Sequence, residues 1–240
     1  EDPDAAQIFN VARQLLQGNV YLRVKGDAQA LLRAGEDLPL AVATRDDGQF
    51  VMLYSGGVAL AEAVNADGDT QTSAMGQAIQ TVLQYVLRGE FAGVVIDQSS
   101  APASVVLPRA LIGRAVEEMD PELTLKHLLA APRTDATAAA VVEAMTTAPL
   151  WVAVNRASEE DAWGVAESHT PAGERILDVF SHPLEVVALG RGDQPTPFTA
   201  AQLAAALASD AGLSGVVLDP GGPWIRLTRA QLAPVLELAE

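Results

Sequence analysis

The first apolar pattern in the chain is helical. Ile8, Ala12, Leu15 and Leu16 fall on one face of a 3.6-residue period, Asp4 stands at a capping position with Gln7 three residues on, and Gly18 supplies a stop. Shorter apolar runs at 19–24, 38–43 and 50–54 predict strands, the last two flanking Asp46-Asp47-Gly48, a hairpin signal. Helices are predicted over 58–64 and 74–87, strands over 94–96 and 104–107, and then a closing helix opened by Pro108. The second half repeats this course through 136–146, 150–154, 163–167, 176–179, 184–189, 200–208, 215–218, 224–227 and 229–238. Thr199 with Gln202, and Thr228 with Gln231, have the spacing of capping boxes.

The repetition extends to the residues. Gly93-Val94-Val95-Ile96-Asp97 returns as Gly215-Val216-Val217-Leu218-Asp219 at an offset of 122. Val105-Val106-Leu107-Pro108-Arg109-Ala110-Leu111 returns as Ile225-Arg226-Leu227-Thr228-Arg229-Ala230-Gln231 at an offset of 120, so only the turn between the blocks differs in length. Upstream, Phe50–Ser55 matches Ile176–Ser181 and Asn19–Val24 matches Pro149–Val154. A period of this length is far too long for a solenoid and reads as two copies of one domain. Hairpins, helices and short strands apolar on both faces specify an α+β fold: two tandem copies of a mixed sheet-plus-helices domain, expected to be related by a pseudo-twofold. The boundaries fall at 1–118 for copy one, 119–135 for an apolar linker that includes a short helix near 123–130, and 136–240 for copy two.

A strand ending Tyr54-Ser55 or Phe180-Ser181, a following helix, a Gly-Val-Val strand ending in Asp, and a turn (Asp97-Gln98-Ser99 or Asp219-Pro220-Gly221) leading to Leu-Pro-Arg form a recognisable set. It resembles the N-terminal domain of the enhanced-serine-sensitivity (SseB) family, with Asp where the family often has Asn. The resemblance covers about 80 residues of each copy and is stronger around Leu53–Leu111. It implies an interaction or accessory module in bacteria, since the family carries no established enzymatic mechanism.

Composition narrows the class further. Hydrophobic residues make up 49% of the 240 and aromatic residues 5%, so real cores are expected, built mainly from Val, Leu, Ile and Ala. With no cysteine, disulfides, thiolate metal sites and thiol nucleophiles are excluded. A net charge of −16 argues against nucleic acid and favours encounter with a basic protein partner. No apolar run approaches the roughly 18–20 residues of a membrane span. No basic-plus-apolar signal sequence opens the chain, so a cytoplasmic protein is expected, although the start at Glu1 rather than Met leaves a removed leader open. Oligomeric state is not legible in the sequence.

Candidate chemistry is sparse. His127, His169 and His182 are far apart and lack metal-ligand spacing, so no metal is expected. Ser55-Gly56-Gly57 is a strand end turning into a helix rather than a Gly-x-Ser-x-Gly elbow. Asn65, Asp67 and Asp69 open like a calcium loop, but Thr70 and Gly76 stand where Gly and Glu belong. Gly190-Arg191-Gly192 runs into Gln194-Pro195 with no third glycine, so no nucleotide cofactor is expected, and none of any other kind. The acidic runs Glu117-Glu118-Asp120-Glu122 and Glu159-Glu160-Asp161 read as solvated.

Asp97 and Asp219 each end a buried strand, where an aspartate can cap a turn; alternatively the two loops present a paired binding surface. Trp151 is expected in the core, whereas Trp163 and Trp224, beside acidic and Gly/Pro stretches, are candidate exposed anchors. Trp163, Trp224, Asp97 and Asp219 are therefore the candidate partner-binding residues, and no catalytic residue is assigned. The leading reading is a non-enzymatic protein-binding or adaptor module, accessory to bacterial secretion or toxin neutralisation. The alternative is a small-molecule-binding protein or enzyme whose site, with groups such as His169, Arg175 and Asp178, lies in a cleft between the copies.

Overall fold

The computed structural model describes residues 5–69, 71–99, 104–156 and 163–239. Asp4, Thr70 and the Glu159-Glu160-Asp161 run lie outside the described residues. The first part of the chain contains α1 (Ala5–Leu15), β1 (Asn19–Lys25), α2 (Ala28–Ala34), β2 (Val42–Arg45), β3 (Gly48–Tyr54), α3 (Gly57–Asp67), β4 (Thr72–Ala78), α4 (Ile79–Arg88), β5 (Gly93–Ile96), β6 (Val105–Pro108) and α5 (Arg109–Glu117). The second contains α6 (Thr124–Ala130), α7 (Thr137–Met145), β7 (Leu150–Asn155), β8 (Gly164–Val165), β9 (Glu167–His169), β10 (Arg175–Phe180), α8 (Pro183–Ala188), β11 (Gln194–Phe198), α9 (Ala200–Ser209), β12 (Leu213–Leu218), β13 (Ile225–Thr228) and α10 (Ala233–Leu236). The described residues form two units: those of 14–117, and those of 5–13 with 118–239. The apolar stretch after Met119 therefore belongs to unit two, whose core takes Leu125 and Leu129 from α6.

Each unit is built on a mixed sheet, and the two sheets have the same strand order. In unit one it is β4-β1-β3-β5-β6, with β2 paired to β3; in unit two it is β11-β7-β10-β12-β13, with β8 on β7 and β9 on β10. The single parallel pair on each path is β3–β5 or β10–β12, connected through a helix, an edge strand and a second helix (α3, β4 and α4, or α8, β11 and α9), and the other pairs are antiparallel. This α+β architecture is the one the repeat predicts. The Asp46-Asp47 hairpin also forms, with Arg45 opposite Gly48.

Alternation along the strands divides each sheet into two faces. In unit two, Leu177 and Val179 of β10 join Val216 and Leu218 of β12 in a core closed by Val141, Val142 and Met145 of α7 and Leu203 and Leu207 of α9. The opposite face holds Phe180, Ala153 and Val186, the last from the short helix α8. In unit one the matching face holds Tyr54, Leu60 and Ala63. The runs 94–96 and 216–218 are apolar throughout because β5 and β12 are covered on both faces.

Two repeated residues explain themselves in this frame. A Cβ on Gly93 would lie 2.2 Å from the Leu107 carbonyl oxygen, and one on Gly215 would lie 2.1 Å from that of Leu227, so neighbouring strands close on glycine in both sheets. The Arg after the following strand pins a helix end. Arg109 donates to the carbonyls of Val86 and Leu87 in the last turn of α4 and of Gly89 and Phe91 beyond it, and Arg229 to those of Leu207 in the last turn of α9 and of Asp210 and Leu213 beyond it. Each guanidinium thus satisfies carbonyls that a helix C-terminus leaves open.

Several predicted elements need correction. The helix expected over 74–87 is strand β4 followed by α4, because Thr-Ser-Ala-Met-Gly-Gln-Ala is too small and polar to announce a sheet edge. Its counterpart β11 carries Pro195 and Pro197, which an edge strand tolerates. The helix α2, capped by Asp27 through the amides of Gln29 and Ala30, lies in a stretch to which the sequence reading gave no element. The closing helix expected over 229–238 shrinks to α10 and a single 3₁₀ turn, Glu237–Ala239. The strand expected over 163–167 is divided between β8 and β9.

Candidate functional site

The signatures at the strand ends meet in space. In unit two, the parallel pairing of β10 and β12 sets Ser181 beside Asp219. The Ser181 amide donates to Asp219 Oδ1 at 2.8 Å and its hydroxyl to Oδ2 at 2.6 Å. In unit one, the Ser55 amide and hydroxyl donate to Asp97 with the same 2.8 and 2.6 Å geometry. Both aspartates have left-handed backbones, φ 55° at Asp97 and 51° at Asp219, a region aspartate reaches more readily than most residues. The carboxylate therefore caps the end of the neighbouring parallel strand rather than only its own turn.

The two pairs differ in what surrounds them. Asp97 is half-buried, whereas Asp219 is 1% exposed and takes part in a charge cluster. Lys126, on α6, reaches Asp219 Oδ2 at 3.2 Å and also donates to Glu185 Oε1. Arg13, on α1, reaches Glu185 Oε2 at 3.1 Å, donates to the Gly222 carbonyl, and is steadied by Asn10 Oδ1 at 2.9 Å. His182 Nδ1 caps α8 by accepting from the Leu184 amide. Two cations thus oppose two carboxylates inside unit two, all of them buried.

Burial is the largest influence on Glu185, and Asp219 adds to it; together they push its carboxyl up to about 7 from 4.5, against the pull of Lys126 and Arg13. Between those two values the folded chain holds a proton that the unfolded chain has released. Stability therefore falls as pH rises from about 4.5 to about 7, by on the order of 3 kcal/mol, and levels off above. Urea unfolding at pH 5 and pH 7.5 should show the loss, and Glu185→Gln should flatten it. Asp67 and Asp210 lie below the ordinary carboxylate value, held there by the Arg23 hydrogen bond and by the Gly212 amide respectively. Their contribution is present above 3.8 and is lost only as pH falls below it, outside this window.

Chemically, this cluster is closed. Ser181, Lys126, Glu185 and Asp219 are all buried, and both oxygens of each carboxylate are engaged. The Ser181 hydroxyl is spent on a carboxylate that Lys126 already neutralises, so the arrangement holds a strand end to α6 and α8 rather than presenting a nucleophile. A further buried acid, Asp178, keeps Oδ2 at 3.4 Å from Arg191, while among the described residues its Oδ1 has no hydrogen-bond partner. Arg191 also binds Asp193, which accepts from Asn155.

The other sequence candidates are placed as follows. Trp163 is 51% exposed, with the Arg156 guanidinium 4.9 Å above its ring. Trp224 is 59% exposed, and its carbonyl accepts from Arg133 at 2.8 Å. Beside Trp224 is a hollow of about 300 Å3 lined by Pro171, Ile176, Val217 and Pro220, with His169 and Arg226 at its polar margin. Arg175 is tied to Glu167 and Asp210, and so does not join Asp178. In unit one, Asp67 and Asp69, which have the opening spacing of a calcium loop but not its later ligands, clamp the Arg23 guanidinium, with Arg23–Asp67 at 2.5 Å and Arg23–Asp69 at 3.1 Å.

Residues 125–233 match the family model of the SseB protein N-terminal domain. This segment is similar to the SseB N-terminal domain. No curated protein and no solved structure matches the chain. The matched segment runs from α6 to the start of α10 and so contains Lys126, Ser181, Glu185 and Asp219, with Arg13 joining from outside it. Residues 14–117 lie outside the match, yet their sheet has the same order and the same Ser–Asp pair. Among the described residues, no helix is long and apolar enough to cross a membrane.

The sequence reading missed the charge cluster. Its signals were present: Lys126 is one of two lysines, set in the apolar run Leu123–Ala130, and Glu185 interrupts Leu184-Glu185-Val186-Val187-Ala188. A charge inside an apolar helical stretch is a signal of a buried partner.

Proposed function

We propose that the chain is a non-enzymatic protein-docking module of the bacterial cytoplasm, and that unit two meets its partner through its two exposed tryptophans, Trp224 and Trp163. The observation that carries this reading is Trp224, 59% exposed beside an apolar hollow yet anchored by Arg133 through its own backbone. A large, fixed aromatic next to an apolar recess is the composition of a binding hot spot. The closed cluster around Ser181 and Asp219 supports a docking role over catalysis, because a substrate could not reach it. The charge of −16 favours a basic partner by speeding encounter. An accessory role in secretion or toxin neutralisation accords with these properties. Asp97 stands at a half-buried turn and can contribute to a surface; Asp219 acts by holding the turn that ends in Trp224.

The test is photo-crosslinking in the native host, with p-benzoylphenylalanine in place of Trp224, Trp163, Val58 or Leu238, the last two being exposed controls. One discrete protein adduct from positions 224 and 163, absent from 58 and 238, is the expected result. No adduct, or the same set of adducts from all four positions, would overturn the proposal.

A further inference from the structure

Unit one contains a cavity that neither the family match nor the docking proposal touches. It has a volume of about 680 Å3, within the range of small-molecule pockets. Its floor is the sheet: Leu22 and Met75 face each other across β1 and β4, and Leu40 forms an antiparallel bridge to Val24 of β1. One wall is α4, with Val82 buried and Thr81 and Tyr85 a helical turn apart. The other is α2 and the chain after it, which contribute Leu32 and Leu38. At the rim, Leu32 and Tyr85 remain 58% and 46% exposed, an amount of apolar surface a closed fold would cover. Two charged groups line the cavity, Glu36 and Asp37, and both are negative.

The geometry points to a site for a small cationic amphiphile, an apolar body carrying one ammonium group. Its body would lie over Leu22 and remove the half-buried Leu40 and Met75 from water, and its ammonium would meet the exposed Glu36 and Asp37. A carboxylate of the same shape would face like charge at that point, in a chain whose own net charge is strongly negative. Selectivity for the cation is therefore the distinguishing property of the site, while the apolar lining supplies the affinity.

The experiment uses the full chain and three probes with one tail, decylamine, decanoate and 1-decanol, each below its aggregation concentration. Binding is followed through the methyl resonances of Leu22, Leu40, Met75 and Val82. Decylamine should bind saturably at one site and about tenfold more tightly than decanoate, a difference of about 1.4 kcal/mol. Glu36→Gln with Asp37→Asn should bring decylamine down to the affinity of decanol, and Thr81→Trp should weaken all three by filling the wall. Equal binding of amine and carboxylate, or shifts scattered over the surface, would overturn the assignment. Tighter binding of an amphipathic Leu/Lys helical peptide, displacing decylamine, would also overturn it in favour of a protein ligand. Because the cavity lies in unit one, failure here leaves the Trp224 proposal standing, and the reverse.

Discussion

Lys126→Met should destabilise unit two by about 3–5 kcal/mol at pH 8, the cost of leaving buried carboxylates without their cation. Lys126 touches both Glu185 and Asp219, and after its removal Arg13 is the one cation still in contact with Glu185 in the cluster. Methionine fills the stem of the lysine, so the loss is electrostatic and not a cavity. All three tryptophans lie in residues 151–224, so their emission during urea unfolding reports unit two selectively. Two further variants make the result diagnostic. Adding Glu185→Gln to Lys126→Met should restore part of the stability, with a coupling of about 1–3 kcal/mol between the sites. The single variant should also lose less at pH 5.5 than at pH 8, because Glu185 can take up a proton. A Lys126→Met protein within 1 kcal/mol of the parent at pH 8 would show that the cluster contributes little to holding α6 in place.

Those partners explain what could and could not be read from the chain. The duplication was accessible because glycine, three apolar residues and aspartate recur at 93–97 and 215–219, each part for a structural reason: the glycine admits a neighbouring carbonyl, the apolar run is covered on both faces, and the aspartate closes on a serine. The edge strands β4 and β11 were not accessible. Small residues fill one and two prolines interrupt the other, and an edge strand needs neither a strong pattern nor every amide. The charge cluster was hidden for a different reason. Arg13, Lys126, Glu185 and Asp219 come from four separate segments, and local patterning carries no information about which distant charge answers which. Asp219 was legible as a strand-end aspartate but not as a buried one, because Asp97 occupies the same place in the repeat with more solvent around it.

That contrast yields a sharp comparison. Asp97→Asn and Asp219→Asn alter chemically matching positions, yet the second should cost about 2–4 kcal/mol and the first less than 1. Asparagine accepts the left-handed backbone at both sites, and its amide oxygen can still receive the serine N–H, so neither backbone strain nor that bond separates them. The difference arises at the second oxygen. An NH2 group there can no longer accept from the serine hydroxyl, which at Ser55 can turn to water. At Ser181 the hydroxyl is buried and has no such outlet, and the new amide hydrogens also point at the Lys126 ammonium. Lys126 and Arg13 then share the single carboxylate of Glu185, which leaves an excess buried cation. Chemical denaturation followed by tryptophan emission for Asp219→Asn, and by far-ultraviolet circular dichroism for both variants, measures the two losses. If they agreed within 0.5 kcal/mol, the Ser–Asp pair alone would account for the energetics and the surrounding charges would be incidental; the geometry around Lys126 predicts the larger gap.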